Sequence, residues 1–316
     1  MSSAEGQMDL AVATPRAAER AQRPPRRPLR GTWWRHLVAI VAIVFSLFPV
    51  LYVTSAAFNA DQSLSASSLI PREVTLENFR ELLSGETTSA GGQKLEVPYL
   101  RWFGNSLLVA SVAAVLTVML GAFAAYAFSR FRFHGRRMGM MTLLLIQMFP
   151  VFLAIVAIYL ILLNAGDVFP FLALNTHTGL ILVYLGGAMG VNAWLMKGFF
   201  DTIPAELDES ARVDGATPAQ IFWGVVLPLA TPVLAVVGLI SFIATLNEFL
   251  IAGTLLQTSD KQTLPVGMQF FVDQKYAEEW GPFSAGVLLA AIPVVLLFMV
   301  LQRFIVQGLT RGAVKG

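Results

Sequence analysis

The side chains that could perform chemistry are few, and they are scattered along the chain. The three histidines, His36, His134 and His177, lie in three different connecting or flanking segments, and there is no cysteine. The absence of cysteine excludes disulfides, thiolate metal sites and a cysteine nucleophile. There is also no Gly-x-x-x-x-Gly-Lys-Ser/Thr loop, so the chain cannot bind ATP through a P-loop. We therefore expect no catalytic residue, no metal site and no cofactor site in this chain, and we predict that it is not an enzyme.

One carboxylate stands out because of its surroundings. Glu248, next to Asn247, is the only acidic residue within the long apolar segments. A carboxylate is costly inside a membrane, so it should face a cavity or a partner. In one interpretation, Glu248 and Asn247 lie at a gate or on a translocation path. In the other, Glu248 is a structural carboxylate near the external end of its helix, and the sequence leaves both open.

The positions of these residues depend on the helices that carry them. Hydrophobic residues make up 56% of the chain and charged residues 13%, whereas soluble domains are about a quarter charged. The mean hydropathy is +0.66. A bilayer core requires about 20 apolar residues of helix, and six segments meet that length: 37–58, 102–129, 138–163, 178–196, 229–252 and 282–302. We predict an all-α, polytopic membrane protein with six transmembrane helices.

The lysines and arginines indicate the direction of the six spans. Sixteen of the 22 lie before the first span, between spans two and three, between spans four and five, or after span six. Because positive charge is retained on the cytoplasmic side, we predict that these segments and both termini are cytoplasmic. An even number of spans independently requires both termini to lie on the same side of the membrane.

The segments outside the spans divide the chain further. Residues 1–31 are rich in Pro, Ala and Arg, and we predict a disordered basic cytoplasmic tail near anionic membrane lipid. Residues 32–307 form the predicted six-span domain, with external loops at 59–101 and 253–281, and residues 308–316 form a cytoplasmic C-terminal tail. The sequence pI of about 9.0 is too mild to indicate binding to nucleic acid.

The predicted cytoplasmic segment 201–229, between spans four and five, is acidic, which is unusual on the positive side of a membrane protein. Its acids are Asp201, Glu206, Asp208, Glu209 and Asp214, against Arg212 alone. We predict two short helices around a turn that project from the membrane. Such a rigid projection is suited to docking in a groove of a soluble partner.

Local signals define the two short helices. Pro204 suits a first helical position, and Gly215 permits the left-handed backbone that ends a helix. Thr217 begins a capping-box pattern with Pro218 at the first helical position. We expect the second helix to stop or bend at Pro228, where span five begins.

At these residues the sequence resembles the signature loop of permease subunits of bacterial ATP-binding-cassette (ABC) importers. The signature is Glu-Ala-Ala, three residues, Gly, nine residues and Ile-x-Leu-Pro, and its spacing matches throughout, with Ser210 and Val225 as the two departures. The resemblance implies that residues 201–229, which we call the coupling loop, dock on an ATPase subunit and transmit its motion to the pore. The resemblance assigns this role to six residues, which are Glu209, Ser210, Ala211, Gly215, Leu227 and Pro228.

Other stretches resemble the MalG-type subunits of maltose/maltodextrin importers. They are LNTHTG (174–179), VYLGG (183–187), KGFFDTIP (197–204), DGATPAQ (214–220), LPVGMQ (264–269) and GLTRGAVKG (308–316). The resemblance implies the ABC type I importer permease fold and a multi-pass location in the bacterial cytoplasmic (inner) membrane. It further implies a MalF-type second permease, a homodimeric MalK-type ATPase that holds ATP and Mg, and an external sugar-binding protein.

The resemblance also implies two further contact regions, and it assigns no residue of this chain to the sugar. The C-terminal tail would touch the ATPase pair through Gly308, Leu309, Thr310 and Lys315, or it would be a solvated tail without that contact. The aromatic residues of loop 253–281 would face the external binding protein, or they would belong to a membrane-interface belt. These aromatic residues are Phe270, Phe271, Tyr276 and Trp280.

The sequence therefore predicts a permease subunit of an ATP-driven importer that translocates maltose or maltodextrins. A permease subunit for another carbohydrate, such as trehalose, another oligosaccharide or a glycerol phosphate, would have the same architecture. An ion-coupled secondary transporter is an alternative of another class, but it would need charged residues on its path, and only Glu248 is available. An integral-membrane enzyme would need a cluster of catalytic groups that the sequence does not show.

Overall fold

The computed structural model of this chain describes residues 33–60, 71, 73–88, 94–272 and 279–313, with the backbone alone at 87–88, 94–95 and 306–313. The predicted N-terminal tail, Tyr276 and Lys315 lie outside the described residues. The chain divides after Val50 into two compact units. The division falls inside helix α1, Trp33–Ala57, whose 25 residues include an 18-residue stretch with a mean hydropathy of 2.6, which is sufficient to cross a bilayer.

The second unit, from Leu51 onward, contains the remaining helices. They are α2 (Glu77–Ser84), α3 (Tyr99–Arg130), α4 (Arg136–Gln147), α5 (Val151–Val168), α6 (His177–Phe200), α7 (Ala205–Val213), α8 (Pro218–Leu229), α9 (Thr231–Leu246), α10 (Leu250–Leu255), α11 (Leu264–Met268) and α12 (Trp280–Ala313). Short 3-10 helices occupy Pro170–Leu172 and Gln269–Phe271.

Helices α3, α4 and α6 pack closely in this unit because small residues lie at their contacts. Ala122 and Ala125 of α3 are fully buried in a cluster with Met196 of α6. A Cβ placed on Gly190 of α6 would lie 2.6 Å from the carbonyl oxygen of Leu143 in α4. Only glycine fits that approach, which is the close packing that small residues allow between membrane helices.

The described part of the chain confirms the predicted helical membrane fold. Five of its helices are long and apolar enough to cross a membrane, and α8 with α9 forms a sixth candidate, bent by 77°. Two of the predicted spans are interrupted, however, and the interruptions have identifiable causes.

The third predicted span, 138–163, is not one continuous helix. Helix α4 ends at Gln147 and α5 begins at Val151. Pro150 has an extended backbone immediately before α5 (φ −63°, ψ 115°). Proline lacks an N–H group and clashes with the preceding turn, so a helix breaks more easily than it continues there.

The fifth predicted span, 229–252, is also interrupted. Helix α9 ends at Leu246, and α10 begins at Leu250 after a short break that contains Glu248. The 77° bend at the other end of α9 follows Ala230. The second helix of the coupling loop therefore passes through Pro228 and bends two residues later than expected.

The predicted external loop 59–101 contains a small amount of β structure, so the second unit is not purely helical. Strands β1 (Glu86–Thr88) and β2 (Lys94–Glu96) pair antiparallel. The buried side chain of Asn78 in α2 donates from Nδ2 to the carbonyl oxygens of Ala57 and Asn59, at 3.0 and 2.9 Å. These bonds attach α2 to the C-terminal end of α1.

The connections predicted to share a side of the membrane do lie at the same end of the second unit. At one end, Asn105 Nδ2 donates to the carbonyl oxygen of Asp260 at 2.9 Å, and His177 Nε2 lies 2.8 Å from the carbonyl oxygen of Lys261. At the other end, Arg130, the last residue of α3, donates to the carbonyl oxygen of Ile203 in the coupling loop at 3.0 Å. The alternation of connections that the charge pattern predicted is therefore present in the structure.

Candidate coupling interface

Helix α7 forms the first half of the coupling loop, and its charges suit its ends. Glu206 and Asp208 lie in its first turn and Arg212 in its last, where the helix dipole favours each sign. Pro204 is the N-cap residue, one position earlier than predicted. The loop then turns at Gly215, whose φ of +85° favours glycine.

Helix α8 begins with the predicted capping box. The N–H of Gln220 donates to Thr217 Oγ1 at 3.3 Å, and the N–H of Thr217 donates to Gln220 Oε1 at 2.8 Å. Pro218 occupies the first helical position. The helix continues as a π-helical segment over Phe222–Val226 and returns to α geometry at Leu227–Leu229. The end of α7 and the capped start of α8 together define the turn between the two helices.

The inner face of α8 is anchored in an apolar cluster at the ends of α3 and α6. Ile221, Phe222 and Val226 are buried there with Tyr126 and Phe200. Each large apolar side chain of this kind contributes about 1.5–3 kcal/mol when it is removed from water. The coupling loop therefore rests on the membrane helices through a continuous packed contact.

A buried ion pair joins the coupling loop to the end of α3. Arg130 Nε lies 2.8 Å from Asp208 Oδ2, and the two side chains are only 9% and 4% exposed. Arg130 Nη2 also donates to the carbonyl oxygen of Ile203 at 3.0 Å. Among the described residues, neither carboxylate oxygen of Asp208 has a well-aligned hydrogen bond, so the nearby positive charge of Arg130 is the main compensation for this buried carboxylate.

A second, more exposed contact lies where the coupling loop leaves α6. Ser129 Oγ donates to Asp201 Oδ1 at 2.7 Å, and the Lys197 ammonium pairs with Asp201 Oδ2. Partial burial by itself raises the pKa of Asp201, but the hydrogen bonds from Lys197 and Ser129 outweigh it and hold that pKa below its usual value. The carboxylate is therefore charged across the neutral range.

The outer face of the coupling loop is exposed and carries most of the residues assigned to coupling. Glu209, Ser210 and Gly215 are exposed, as is Pro228 near the bend, whereas Ala211 and Leu227 pack partly against the apolar cluster. Val213 adds an apolar side chain that is 88% exposed. The loop thus presents acidic and apolar groups outward from a buried base.

Sequence reasoning missed the residues that attach this loop to the membrane helices. Arg130 had only been counted among the topogenic cations, and Asp208 only among the acids of the loop. Tyr126, whose hydroxyl donates to the carbonyl oxygen of Pro218 at 3.3 Å, was not singled out. No sequence spacing signals these contacts, because the residues are separated by more than 70 positions.

Glu248 accepts several hydrogen bonds at the start of α10. Its Oε1 accepts from the N–H of Ile251 at 2.7 Å, and its Oε2 accepts from the N–H of Ala252 at 2.9 Å and from the Tyr184 hydroxyl at 2.6 Å. Asn247 Nδ2 donates to the carbonyl oxygen of Ile243 at 2.9 Å. This geometry is what the structural interpretation of Glu248 requires, and the gate role stays a prediction.

Tyr184 also lines a cavity of about 850 Å³ between α4, α5, α6 and α10, together with Gln147. Gln147 donates from Nε2 to the carbonyl oxygen of Gly187. Tyr184, which donates a hydrogen bond to Glu248, therefore borders this open cavity, although Glu248 itself is not among the residues that line it.

The aromatic residues assigned to the external binding protein occupy different environments. Phe271 is 2% exposed and packs in a core cluster with Tyr99 and Trp102, so its ring is shielded within this chain, and its contact with an external binding protein stays a prediction. Phe270 is partly buried and lines a cavity of about 560 Å³. Trp280 is partly buried as well, with its ring against that of Phe283.

The C-terminal residues assigned to the ATPase contact belong to a helix. Helix α12 continues to Ala313 and includes Gly308, Leu309 and Thr310. The predicted change from membrane domain to tail after residue 307 is therefore not a change of backbone structure. No proline after Pro293 interrupts the helix.

Residues 117–311 match the family described as binding-protein-dependent transport system inner membrane component. The matched region includes the whole coupling loop and extends into α12. This chain belongs to that family.

Curated relatives cover nearly the whole permease. It is 40% identical over 287 residues to the maltose/maltodextrin transport system permease protein MalG of Vibrio vulnificus strain YJ016, a match over 90% of this chain and 96% of that protein. It is 39% identical over 284 residues to MalG of Escherichia coli K12, over 89% and 95%. It is 38% identical over 291 residues to the galactooligosaccharides transport system permease protein GanQ of Bacillus subtilis strain 168, over 92% and 98%.

The fold of the permease is that of a solved ABC importer. The match is to the crystal structure of a bacterial ABC transporter involved in the import of the acidic polysaccharide alginate, with a TM-score of 0.67 and 22% identity. It covers 89% of this chain and 99% of that chain. The chain is thus a multi-pass inner-membrane permease with the fold of an ABC importer subunit.

Proposed function

We propose that this permease is the MalG-type subunit of an ATP-driven importer for maltose and maltodextrins, and that the coupling loop transmits the motion of the ATPase to the spans. The subunit itself is non-catalytic, and ATP and Mg are bound by separate ATPase chains. The observation that carries this proposal is the construction of the coupling loop, whose outer face is exposed while its base is buried and ion-paired to α3.

A docking element that transmits force must be stiff and must be attached to what it moves. The capping box and Gly215 define the turn between α7 and α8, and the Arg130–Asp208 pair joins α7 to α3. The cluster around Phe222 joins α8 to α3 and α6. Displacement of the outer face would therefore move several membrane helices together.

The proposed assembly has four kinds of subunit. This chain pairs with a MalF-type second permease, a homodimeric MalK-type ATPase docks on the coupling loop, and an external sugar-binding protein docks at the opposite end. The coupling loop and both termini are cytoplasmic in this arrangement. The excess of arginine at the end of the bundle that carries the coupling loop supports this orientation.

The substrate is proposed from the relatives. Two of the relatives above are named for maltose and maltodextrin and one for galactooligosaccharides. These identities differ by only two percentage points, so the shared part of the proposal is an oligosaccharide, with maltose and maltodextrins as its specific form. Trehalose and glycerol phosphate remain the alternatives to be tested.

The proposal is tested by purifying the tagged native complex in mild detergent and identifying the chains that co-purify. We expect a second permease and an ATPase that contains a P-loop, with ATPase activity stimulated by binding protein loaded with maltose. Stimulation of the ATPase only by a binding protein loaded with galactooligosaccharide or trehalose would replace maltose with that sugar as the proposed substrate. Recovery of this chain alone, with ion-driven uptake in liposomes, would overturn the importer assignment.

A matched pair of variants isolates the coupling loop. Glu209 and Glu77 are both exposed acids on short helices, one in α7 and one in α2 at the predicted external end. We expect Glu209→Lys to release the ATPase from the purified complex and Glu77→Lys to retain it. Equal retention of the ATPase by both variants would show that the outer face of α7 is not the docking surface.

A further inference from the structure

A cavity of about 890 Å³ opens between the start of α4 and the end of α6. Its size lies within the range of ligand sites in proteins, about 300–1,000 Å³. The lining residues divide by chemistry into two groups. The cationic group is Arg136, Arg137 and Lys197, and the apolar group is Phe133, Met138, Met140, Met141, Leu144 and Trp194.

The cationic group has more positive charge than its neighbours balance. Lys197 pairs with Asp201, and Arg136 lies near enough to Asp201 to lower the pKa of that carboxyl group. Among the described residues, neither Arg136 nor Arg137 makes an ion pair of its own. Both arginines lie in the first turn of α4, where the helix dipole disfavours cations. An anion in the cavity would therefore relieve an unfavourable arrangement of charge.

The apolar group distinguishes a lipid from a soluble anion. Met138 and Met141 are exposed on α4, and Trp194 is 50% exposed on α6. Because α6 is a candidate membrane span, side chains exposed near its end meet acyl chains and headgroups rather than water. Tryptophan favours this interfacial depth, with its ring between apolar and polar surroundings.

We infer that this cavity is a binding site for an anionic phospholipid, with the phosphate at Arg136 and Arg137 and the acyl chain against the methionines and Trp194. Guanidinium groups bind phosphate oxygens in a bidentate manner, and basic pockets between membrane helices bind anionic headgroups. The Lys197 ammonium, which pairs with Asp201, would also donate a hydrogen bond to the phosphate.

The site is tested on the whole purified complex with native mass spectrometry, using phosphatidylglycerol and phosphatidylcholine as matched probes. We expect the native complex to retain phosphatidylglycerol in preference to phosphatidylcholine. The Arg136→Gln/Arg137→Gln variant should retain phosphatidylglycerol roughly thirtyfold more weakly, since each basic residue near the headgroup contributes about a fivefold factor. Unchanged retention by this variant would overturn the site.

Arg132 provides the matched control, because it is exposed in the same connection and does not line the cavity. Arg137→Gln should weaken retention about fivefold, and Arg132→Gln, which removes the same charge, should leave it within twofold of native. Equal losses for the two variants would indicate general attraction of anionic lipid and would contradict a specific site.

Two further arms keep the inference testable if loss of both charges disturbs insertion. Arg136→Lys/Arg137→Lys keeps the charge but loses the bidentate geometry, so we expect a partial loss of retention in a normally inserted complex. Excess inorganic phosphate should not displace the lipid, because it cannot occupy the apolar part of the cavity. Displacement by phosphate alone would identify a soluble-anion site, and loss of the preference for phosphatidylglycerol in the native complex would refute a lipid site.

Discussion

Arg130 at the end of α3 and Asp208 in α7 form an ion pair at 2.8 Å, and both side chains are almost completely buried. The pair connects an element predicted to dock on a soluble ATPase with a helix in the middle of the membrane bundle. Under the proposed function, this pair would be a rigid contact through which motion of the coupling loop reaches α3.

Removing one member of this pair should lower the stability of the complex more than removing both. Asp208→Leu leaves Arg130 buried without its counter-charge, which costs about 3–5 kcal/mol. We expect a clearly lower thermal midpoint for the purified complex. Arg130→Met/Asp208→Leu should regain most of that loss, because apolar residues of similar volume can replace a buried pair. A single variant as stable as the native complex would mean that the pair is not an essential contact.

Gly215 should be sensitive to substitution because of its backbone conformation. Its φ is +85°, and no atom lies within 4 Å of an added Cβ, so a side chain there causes backbone strain of about 1–2 kcal/mol without a clash. We expect Gly215→Val to reduce ATP-driven uptake strongly at normal expression. Gly85→Val is the control, since Gly85 has a φ of +80° in the external loop. Equal uptake by the two variants would contradict a special role for the turn.

The lowered pKa of Asp201 predicts a pH dependence of stability. A carboxyl group whose pKa is lower in the folded state stabilises the fold above its unfolded pKa, and that contribution is lost as the pH falls through the folded value. We expect the difference in thermal midpoint between the native complex and Asp201→Asn to be constant near neutral pH and to shrink in acid. A difference that stays constant into strong acid would show that hydrogen bonding, and not charge, supports this contact.

The two interpretations of Glu248 predict different experimental outcomes. The three hydrogen bonds that it accepts lead us to expect that Glu248→Ala lowers the thermal midpoint, because each buried donor left without a partner costs about 1–3 kcal/mol. Tyr184→Phe removes a single bond and should cost about 0.5–1.5 kcal/mol. Loss of uptake by Glu248→Ala with an unchanged midpoint would instead support the gate.

The sequence by itself predicted much of the architecture, because its strongest signals are local or additive. Apolar length predicted the spans, the arginine pattern predicted which connections share an end, and the local signals at Pro204, Gly215 and Thr217 predicted two short helices around a turn. Thr217 and Gln220 form their capping box because that motif needs only four consecutive residues. Local interactions of this kind depend on residues that are neighbours in the sequence and do not depend on how distant helices pack.

Only the tertiary structure decided what those elements touch. The pairing of Arg130 with Asp208 joins positions 78 residues apart, and no local pattern distinguishes that arginine from its neighbour Arg132. The complete burial of Phe271 and the partial burial of Phe270 depend on which side of a short 3-10 helix meets the core. Such outcomes follow from the packing of distant helices against one another, which is a property of the whole fold and not of any single segment.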